Sequence, residues 1–490
     1  MNRTNFRTFK LLRTALAGTL LTPAVAIPAK AIVSAFGDPV KTDAGYISGV
    51  VVGDPGKEVH IYKGIPYGAA PDGDLRWKPP QPVRPWKGVR KATEFGPIAA
   101  QYYANSDESQ MSEDCLTLNV LTPAKTNDGA LPVMVWLHPG GLDTGNGNLP
   151  MYNSPALPQH GVVLVTVNHR LGALGLLAHP ELSAESPHNA SGNYGMLDLI
   201  AALQWVKRNI SAFGGDSNRV TIFGEGGGAQ KVIWLLASPL AKGLFERAII
   251  ESGINRNLDD NNTRTDTEAQ AYFLGERFTS KASGRDLAQL RSKSWQDVVK
   301  SMPAPPKNVE TDPAQDDRMH LTIDAWSLPD HPINIFDEEL GNDVPILIGG
   351  DAAEAGVFEG YTTDWLPALT KQKSNVYVYR FTHVPGNWKG AGILAPHGLE
   401  VRYQFDDLAG NWSALPGRPA EQGIYKDDEI VAENMMNMWA HFAATGDPSI
   451  EGMVEWPAFK AAPEKDRYVT IDVKPELQAG FLEKFKPAKQ

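Results

Sequence analysis

Cysteine is almost missing from this sequence, since Cys115 is the only one among 490 residues. An intramolecular disulfide is therefore excluded, whatever the compartment. The metalloprotease pattern H-E-x-x-H and paired cysteines are missing too, and the 11 histidines are scattered along the chain. No G-x-x-x-x-G-K-[ST] loop is present to hold a phosphate. We therefore expect no metal and no cofactor.

The chain also lacks an excess of basic residues and, after its first 31 residues, any long apolar run. With 46 Lys and Arg against 57 Asp and Glu, its formal net charge is −11. Such a surface repels the phosphates that dominate nucleic-acid binding, so we expect no nucleic-acid partner. No later stretch approaches the ~18 consecutive apolar residues of a membrane helix, so we expect no membrane insertion. The sequence does not indicate an oligomeric state.

Residues 1–31 have the pattern of a secretory signal peptide. Basic residues extend to Arg13, an apolar run follows from Ala15 to Ile27, and two small-residue cleavage sites come next. This pattern predicts a secreted or periplasmic protein, with a disordered basic tail as the other interpretation. We expect residues 32–490 to form a single domain, because no linker or internal repeat divides them.

The body of the chain alternates strand and helix patterns. Continuous apolar runs, typical of strands buried on both faces, occur at Leu116–Leu121, Val133–Leu137, Val162–Val167, Val220–Phe223, Ala248–Ile250 and Val344–Ile348. The clearest amphipathic helix runs from Met196 to Ile210. This alternation predicts an α/β fold with a central, mostly parallel sheet flanked by helices.

Several segments outside this pattern carry their own predictions. Short β-rich runs at 46–52 and 60–65 indicate antiparallel hairpins. Residues 257–335 are polar and helical, for example over 267–278, and we expect them to form an insertion covering one end of the sheet. A long helix is predicted over 428–443, and 467–471 is a candidate last edge strand.

Residues 219–239 join a strand to a helix through a glycine cluster, Gly224-Glu225-Gly226-Gly227-Gly228. An apolar run at 220–223 precedes the cluster, and an amphipathic helix follows without a spacer. Strand, sharp turn and helix in this order are typical of the nucleophile elbow G-x-S-x-G of α/β-hydrolases, which projects a serine hydroxyl above the sheet. Gly226 occupies the serine position here.

Separated motifs show that the chain resembles the type B carboxylesterases, the cholinesterase-like family. The segment 113–120 is similar to the family's EDCLxLN signature, and 133–145 is similar to its oxyanion stretch. The other matching segments are 167–172, 193–198, 213–216, 439–448 and 456–457. They occur in the family's order over roughly residues 40 to 460. The resemblance implies an α/β-hydrolase fold with helical insertions over the active site, and a small-molecule ester as the partner.

The resemblance also implies the other catalytic residues, which follow the chain order nucleophile, acid, base. Glu354 matches the family's acid, and Asp351 is the other candidate. His397, in the segment 397–400, matches the catalytic histidine. Together with a serine at position 226 these residues would form a Ser-His-Glu triad.

The oxyanion hole is expected to use the backbone N–H groups of Gly140, Gly141 and Gly227. Pro139 stands at the first glycine of the family's HGGG and has no N–H. Because the family's donors come from the second and third glycines, we expect the hole to remain intact.

The resemblance extends to architecture and substrate. In the family, Glu113 and Arg170 pair in the interior, and we assign both to architecture. Bacterial members act on small aryl esters, polyester-like substrates and fumonisin-type esters with tricarballylate side chains. Candidates for an aromatic lining of the site are Trp326, Phe358, Tyr361, Trp365 and Trp388.

Without a serine, acyl-enzyme chemistry is impossible, so the chain is predicted to be nearly inactive as written. Two origins fit: replacement of the serine in an active esterase, giving a substrate-trapping variant, or a natural pseudo-esterase that binds or adheres. The retained acid, base and oxyanion residues favour the first. A remote alternative is dinucleotide binding, since Gly224-x-Gly226-x-x-Ala229 fits G-x-G-x-x-G/A and Glu251 stands where a ribose-binding acid could lie.

Overall fold

The computed structural model describes residues 38–101, 107–126, 131–253, 265–283, 286–303, 318–409, 425–462 and 464–487. The predicted signal peptide at 1–31 lies outside these residues, as does part of the predicted insertion at 257–335. Within the described residues Cys115 is buried and carries a free thiol.

The strands of the described residues are numbered in chain order. They are β1 Val40–Lys41, β2 Tyr46–Ser48, β3 Val50–Val52, β4 Val59–Pro66, β5 Val89–Lys91, β6 Ile98–Ala99, β7 Met111–Ser112, β8 Thr117–Thr122, β9 Leu131–Leu137, β10 Val163–Val167, β11 Gly215–Glu225, β12 Arg247–Glu251, β13 Thr265–Thr267, β14 Leu321–Ile323, β15 Ile346–Gly349, β16 Val376–Phe381, β17 Tyr468–Ile471 and β18 Glu476–Gln478.

The α-helices are numbered in the same way. They are α1 Ala156–Gln159, α2 Gly172–Leu176, α3 Pro180–Glu185, α4 Tyr194–Asn209, α5 Gly227–Ala237, α6 Glu268–Ser283, α7 Leu287–Ser292, α8 Trp295–Lys300, α9 Pro332–Asp337, α10 Ala355–Gly360, α11 Leu366–Leu369, α12 Gly386–Gly390, α13 Glu400–Gln404, α14 Lys426–Thr445 and α15 Phe481–Lys484.

One 11-stranded sheet organises the chain, in the order β18-β17-β16-β15-β12-β11-β9-β10-β8-β4-β3. In this order, each pair of neighbouring strands from β17 to β10 is parallel. The mostly parallel sheet predicted from the six buried apolar runs is therefore present. The run that begins at Leu116 departs from this, because β8 pairs antiparallel with both β10 and β4. The strand β17 is not the last one, since β18 pairs outside it.

Both faces of the sheet are covered. Alternation along β9 sends Val133 and Val135 into one core and Met134 and Trp136 into the other. The first core includes residues of α4 and α5, and the second includes residues of α14. A strand buried on both faces must be apolar at every position, which explains its continuous apolar run.

The segment predicted as a helical insertion contains α6, α7, α8 and α9 among its described residues. Two three-residue strands, β13 and β14, also pair in parallel there, although no strong strand is predicted by the sequence. The long helix predicted over 428–443 is α14, and it ends at Gly446 with a left-handed φ of 82°.

The expected pair of Glu113 with Arg170 is wrong, because each charge has a different partner. Two guanidinium nitrogens of Arg170 donate to Asp198, Nε at 2.8 Å and Nη2 at 2.7 Å. Glu113 instead binds Arg76, whose Nε donates at 2.6 Å. All four side chains are buried, so each carboxylate needs its own bidentate partner.

Candidate active site

Gly226 lies between β11 and α5 in a conformation suited to glycine. Its φ is 55° and its ψ is −117°, a region in which a side chain causes strain. Its N–H donates to the Glu251 carbonyl of the neighbouring strand at 2.9 Å. The strand–turn–helix geometry of an elbow is therefore present, with no hydroxyl at its tip.

His397 and Glu354 lie opposite this tip. His397 Nδ1 is 2.5 Å from Glu354 Oε1, and the carboxylate makes Nδ1 the protonated nitrogen. A Cβ added at Gly226 would be 3.2 Å from Nε2 of His397. The structure thus brings positions 226, 354 and 397 together, with Glu354 reaching the site from the end of β15. A serine would require the imidazole to shift by a few tenths of an ångström.

Asp351, the other candidate for the acid, does not touch the histidine. It is buried, and its Oδ2 accepts the backbone N–H of Leu399 at 3.1 Å. Its N–H in turn donates to Glu354 Oε2 at 2.8 Å. Asp351 therefore helps to hold the loop around the acid, while Glu354 is the carboxylate that pairs with His397.

Glu225 is a neighbour of the histidine that the sequence patterns did not single out. Its Oε1 lies 3.1 Å from His397 Nε2, on the side opposite Glu354. The carboxyl is buried, whereas 59% of the His397 side chain is exposed. The position beside Gly226 in the glycine cluster was the available signal, but only the turn brings this side chain under the imidazole.

The two carboxyl groups change the protonation of the site. The charge of Glu225, with the hydrogen bond to Glu354, raises the pKa of His397 to about 10. Burial raises the pKa of Glu225 to about 7, although the nearby imidazolium opposes this. Both carboxyl groups therefore favour the protonated form of the imidazole over the neutral form.

More carboxyl groups lie buried beneath the site. Glu400 accepts hydrogen bonds from Ser252 Oγ at 2.5 Å and Tyr379 OH at 2.7 Å. Glu251 accepts from Trp439 Nε1 at 2.7 Å and Gln404 Nε2 at 2.9 Å. Both oxygens of Glu251 are therefore occupied within the protein, which argues against the ribose-binding role considered for it.

The predicted oxyanion loop follows β9. Gly140 and Gly141 have φ values of 107° and 64°, which favour glycine. Gly141 lies against Gly227, since a Cβ on Gly227 would be 2.3 Å from the Gly141 nitrogen. Two of the three predicted donors, Gly141 and Gly227, thus lie against each other beside Gly226, and the absence of a side chain at position 227 permits this close approach.

The expected aromatic lining is wrong for most of its members. Phe358, Tyr361, Trp365 and Trp388 are at most 2% exposed and pack in the two cores of the sheet. Trp326 is half-buried and stacks on His188 with ring centroids 3.9 Å apart. Large aromatic residues after a strand are typical both of a lining and of a core, and the sequence did not distinguish the two.

No group of three or more His, Cys, Asp or Glu side chains in the described ranges is arranged to hold a metal ion. No helix within those ranges is long and apolar enough to span a membrane.

Comparison with known proteins places this geometry in context. A family model described as "Carboxylesterase family" matches residues 38–367 and 361–486. Fumonisin B1 esterase of Sphingopyxis macrogoltabida is 34% identical, over 91% of this chain and 89% of that protein. Para-nitrobenzyl esterase of Bacillus subtilis is 31% identical, over 88% of this chain and 96% of that protein.

Solved structures agree with these matches. A para-nitrobenzyl esterase structure superposes with a TM-score of 0.75 at 30% identity, covering 92% of this chain and 99% of that one. A carboxylesterase of Geobacillus stearothermophilus superposes with a TM-score of 0.72 at 30% identity, covering 91% and 99%.

Proposed function

The chain belongs to the carboxylesterase family and has its α/β-hydrolase fold, and from this premise we propose that it binds carboxylic esters without turning them over. The observation that carries the proposal is the placement of Gly226 opposite His397 and Glu354. A serine hydroxyl at this tip would stand beside a histidine that is already oriented by a carboxylate. With glycine there, no acyl-enzyme forms.

The protonation of His397 supports the same proposal. Without the serine, hydrolysis would need His397 to take a proton from water. The carboxyl groups of Glu225 and Glu354 flank the imidazole and favour its protonated form, which slows this route, and no side chain at position 226 offers a bound nucleophile in place of water. An ester bound against the oxyanion donors would therefore persist, which is the behaviour of a substrate-trapping variant.

Restoring the nucleophile tests the proposal. We expect Gly226→Ser to hydrolyse p-nitrophenyl butyrate at least ~10³-fold faster than the parent protein, because the rest of the triad is in place. The matched control is Gly226→Ala, which adds the Cβ at the same strained position without the hydroxyl and should stay at the parent rate. A second control, Gly226→Ser with His397→Ala, should lose the gain. No gain in a folded Gly226→Ser protein would refute the ester-hydrolase framework.

We propose fumonisin-type tricarballylate esters or small aryl esters as ligands. Support comes from the two relatives whose names give their substrates, fumonisin B1 and a para-nitrobenzyl ester. Incubation followed by mass spectrometry should show intact fumonisin B1 retained by the parent protein and the free acid released by Gly226→Ser. Retention of neither ester in an equilibrium binding assay would exclude these substrates.

A natural pseudo-esterase is the second candidate. The observation that favours it is a site that accommodates glycine: the φ of 55° at Gly226 suits that residue, and the Glu225 carboxyl lies 3.1 Å from His397 Nε2, the atom that would face a serine hydroxyl. In that case Gly226→Ser would fold and bind esters but hydrolyse them no faster than Gly226→Ala. The same assay therefore separates the two candidates.

We also propose that residues 1–31 direct export to the periplasm or the medium. The supporting observation is the order of basic residues, apolar run and small-residue sites in the sequence. N-terminal sequencing of protein expressed in a bacterial host should find a new terminus after residue 26 or 31. A cytoplasmic protein that retains Met1 would contradict export.

A further inference from the structure

Lys231 is a buried basic residue that the proposed function does not use. It lies on α5, five residues after Gly226, and its side chain is fully buried. Its Nζ donates a hydrogen bond to the backbone carbonyl of His138 at 2.9 Å. Burying a lysine costs free energy that an apolar residue at the same place would avoid. The presence of a lysine at this position therefore requires an explanation.

The bond joins the two parts of the oxyanion hole. His138 is the first residue after β9 and the start of the loop that carries Gly140 and Gly141. Lys231 belongs to the helix whose first residue is Gly227. Its ammonium therefore connects the helix that supplies one donor to the loop that supplies the other two.

Further hydrogen bonds transmit this constraint along the loop. The ring Nδ1–H of His138 donates to the Pro139 carbonyl at 2.8 Å. Thr144 donates to the Gly140 carbonyl, from N at 3.1 Å and from Oγ1 at 2.9 Å. A peptide unit is planar and trans, so a fixed carbonyl also fixes the direction of the N–H that follows it. Holding the Pro139 and Gly140 carbonyls therefore aims the N–H groups of Gly140 and Gly141.

The surroundings of Lys231 are basic rather than acidic. The ring of His138 packs on that of His169, with centroids 4.7 Å apart, and both histidines are buried. Burial and the nearby Lys231 charge lower the pKa of both imidazoles, so they remain neutral. Burial lowers the pKa of Lys231 itself to about 7, and the charge of Asp143 partly offsets this. Keeping the charged form of Lys231 beside the loop therefore costs free energy of folding.

We propose that Lys231 is a positioning residue for the oxyanion hole, which fixes the loop at His138 so that the N–H groups of Gly140 and Gly141 stay aligned with that of Gly227. The inference rests on the proposed ester hydrolysis by the Gly226→Ser form. The side chain of Lys231 makes this hydrogen bond, so a substitution at position 231 can remove it.

The test uses the Gly226→Ser protein as its parent. The activity of this parent, without a further substitution, tests the proposed function. Adding Lys231→Met removes the donor but keeps a long unbranched side chain. We expect kcat per titrated active site to fall about 10- to 100-fold with KM changed less than about twofold, because misaligned donors weaken the stabilisation of the oxyanion in the transition state much more than they weaken ground-state binding. The inhibition constant of an aryl trifluoromethyl ketone should rise by the same factor.

Lys207→Met is the matched control. The Lys207 ammonium also donates to a backbone carbonyl, that of Ser217 at 2.8 Å, but it lies on α4 away from the loop. This variant should retain the parent kcat. Lys231→Leu repeats the deletion with a different side chain, should Lys231→Met not fold.

Two outcomes would overturn the inference while leaving the proposed function intact. One is an active parent whose kcat per active site is unchanged by Lys231→Met. The other is failure of both the Met and the Leu variants to fold, which would make Lys231 a requirement of folding rather than of alignment. An inactive Gly226→Ser parent would instead count against the proposed function, and the inference would fall with it.

Discussion

At the scale of single residues, the proposed triad would be completed by one hydroxymethyl group at position 226. The left-handed φ of Gly226 costs glycine little, whereas a serine there would add about 1–3 kcal/mol of strain. Glycine at this position therefore favours the fold and supplies no hydroxyl. His397 then has Glu225 as the nearest charged group to its Nε2.

Glu225 gives a prediction at this scale. We expect Glu225→Gln to lower the pKa of His397, because it removes the largest charge that favours the imidazolium. The measurement is an NMR pH titration of ¹³C-labelled histidine, with the His397 signal assigned from a His397→Ala sample. Glu338→Gln, an exposed site after α9, is the control and should leave the signal unchanged. An identical titration in Glu225→Gln would show that Glu354 alone governs the imidazole.

At the scale of elements, charged pairs fasten helices to the sheet. Arg170 follows β10, and through Asp198 it holds α4 against this side of the molecule. Arg76 connects the N-terminal region to Glu113, and its Nη1 also donates to carbonyls at the end of α7. Both guanidinium groups thus satisfy several acceptors at once, which a lysine could not do with the same geometry.

Removing one partner of a buried pair should be costly. We expect Arg170→Met to lower the free energy of unfolding by about 3–5 kcal/mol, because Asp198 would remain buried without its partner. Urea denaturation followed by tryptophan fluorescence measures the change. Arg208→Met, which breaks the exposed pair with Asp43, should cost at most about 1 kcal/mol. Equal losses in the two variants would contradict this assignment.

At the scale of the whole molecule, separate parts of the chain bring acidic side chains together beneath the site. Burial raises the pKa of Glu251 to about 8, and it raises the pKa values of Asp351 and Glu400 well above their usual range. A carboxyl whose pKa is higher in the folded state contributes stability below about pH 4. That contribution is lost as the pH rises towards the folded-state pKa.

Asp351 makes this dependence measurable. Asparagine needs no proton to be buried, so the stability of Asp351→Asn relative to the parent should increase between pH 5 and pH 8. The slope should not exceed about 1.4 kcal/mol per pH unit, the limit for one proton. Urea denaturation at several pH values gives the difference. Asp337→Asn, an exposed site paired with Lys371, should show a difference that does not vary with pH. A constant difference for Asp351→Asn would mean that this carboxyl is ionised in the folded protein.

Local patterns were sufficient for much of the fold. Each of the six apolar runs became a strand of one sheet, because a strand buried on both faces needs apolar residues throughout. The apolar stripe at 196–210 predicted α4, because a helix that packs on a sheet needs one apolar face. The glycine after α14 likewise marks the end of that helix, because it adopts a left-handed φ. The direction of a strand could not be predicted from its own residues. The antiparallel pairing of β8 with β10 depends on the path of the chain between the two strands.

The sequence by itself therefore determined the family, the alternation of strands and helices, and the absence of a nucleophile at position 226. It also identified Glu354 and His397 as candidates, and only the folded chain showed them in contact. Tertiary structure alone decided the partners of Glu113 and Arg170, the place of Glu225 beneath the imidazole, and the contact of Lys231 with the predicted oxyanion loop. These are pairings across tens of residues, and a buried charge takes whichever partner the packing brings within hydrogen-bonding distance.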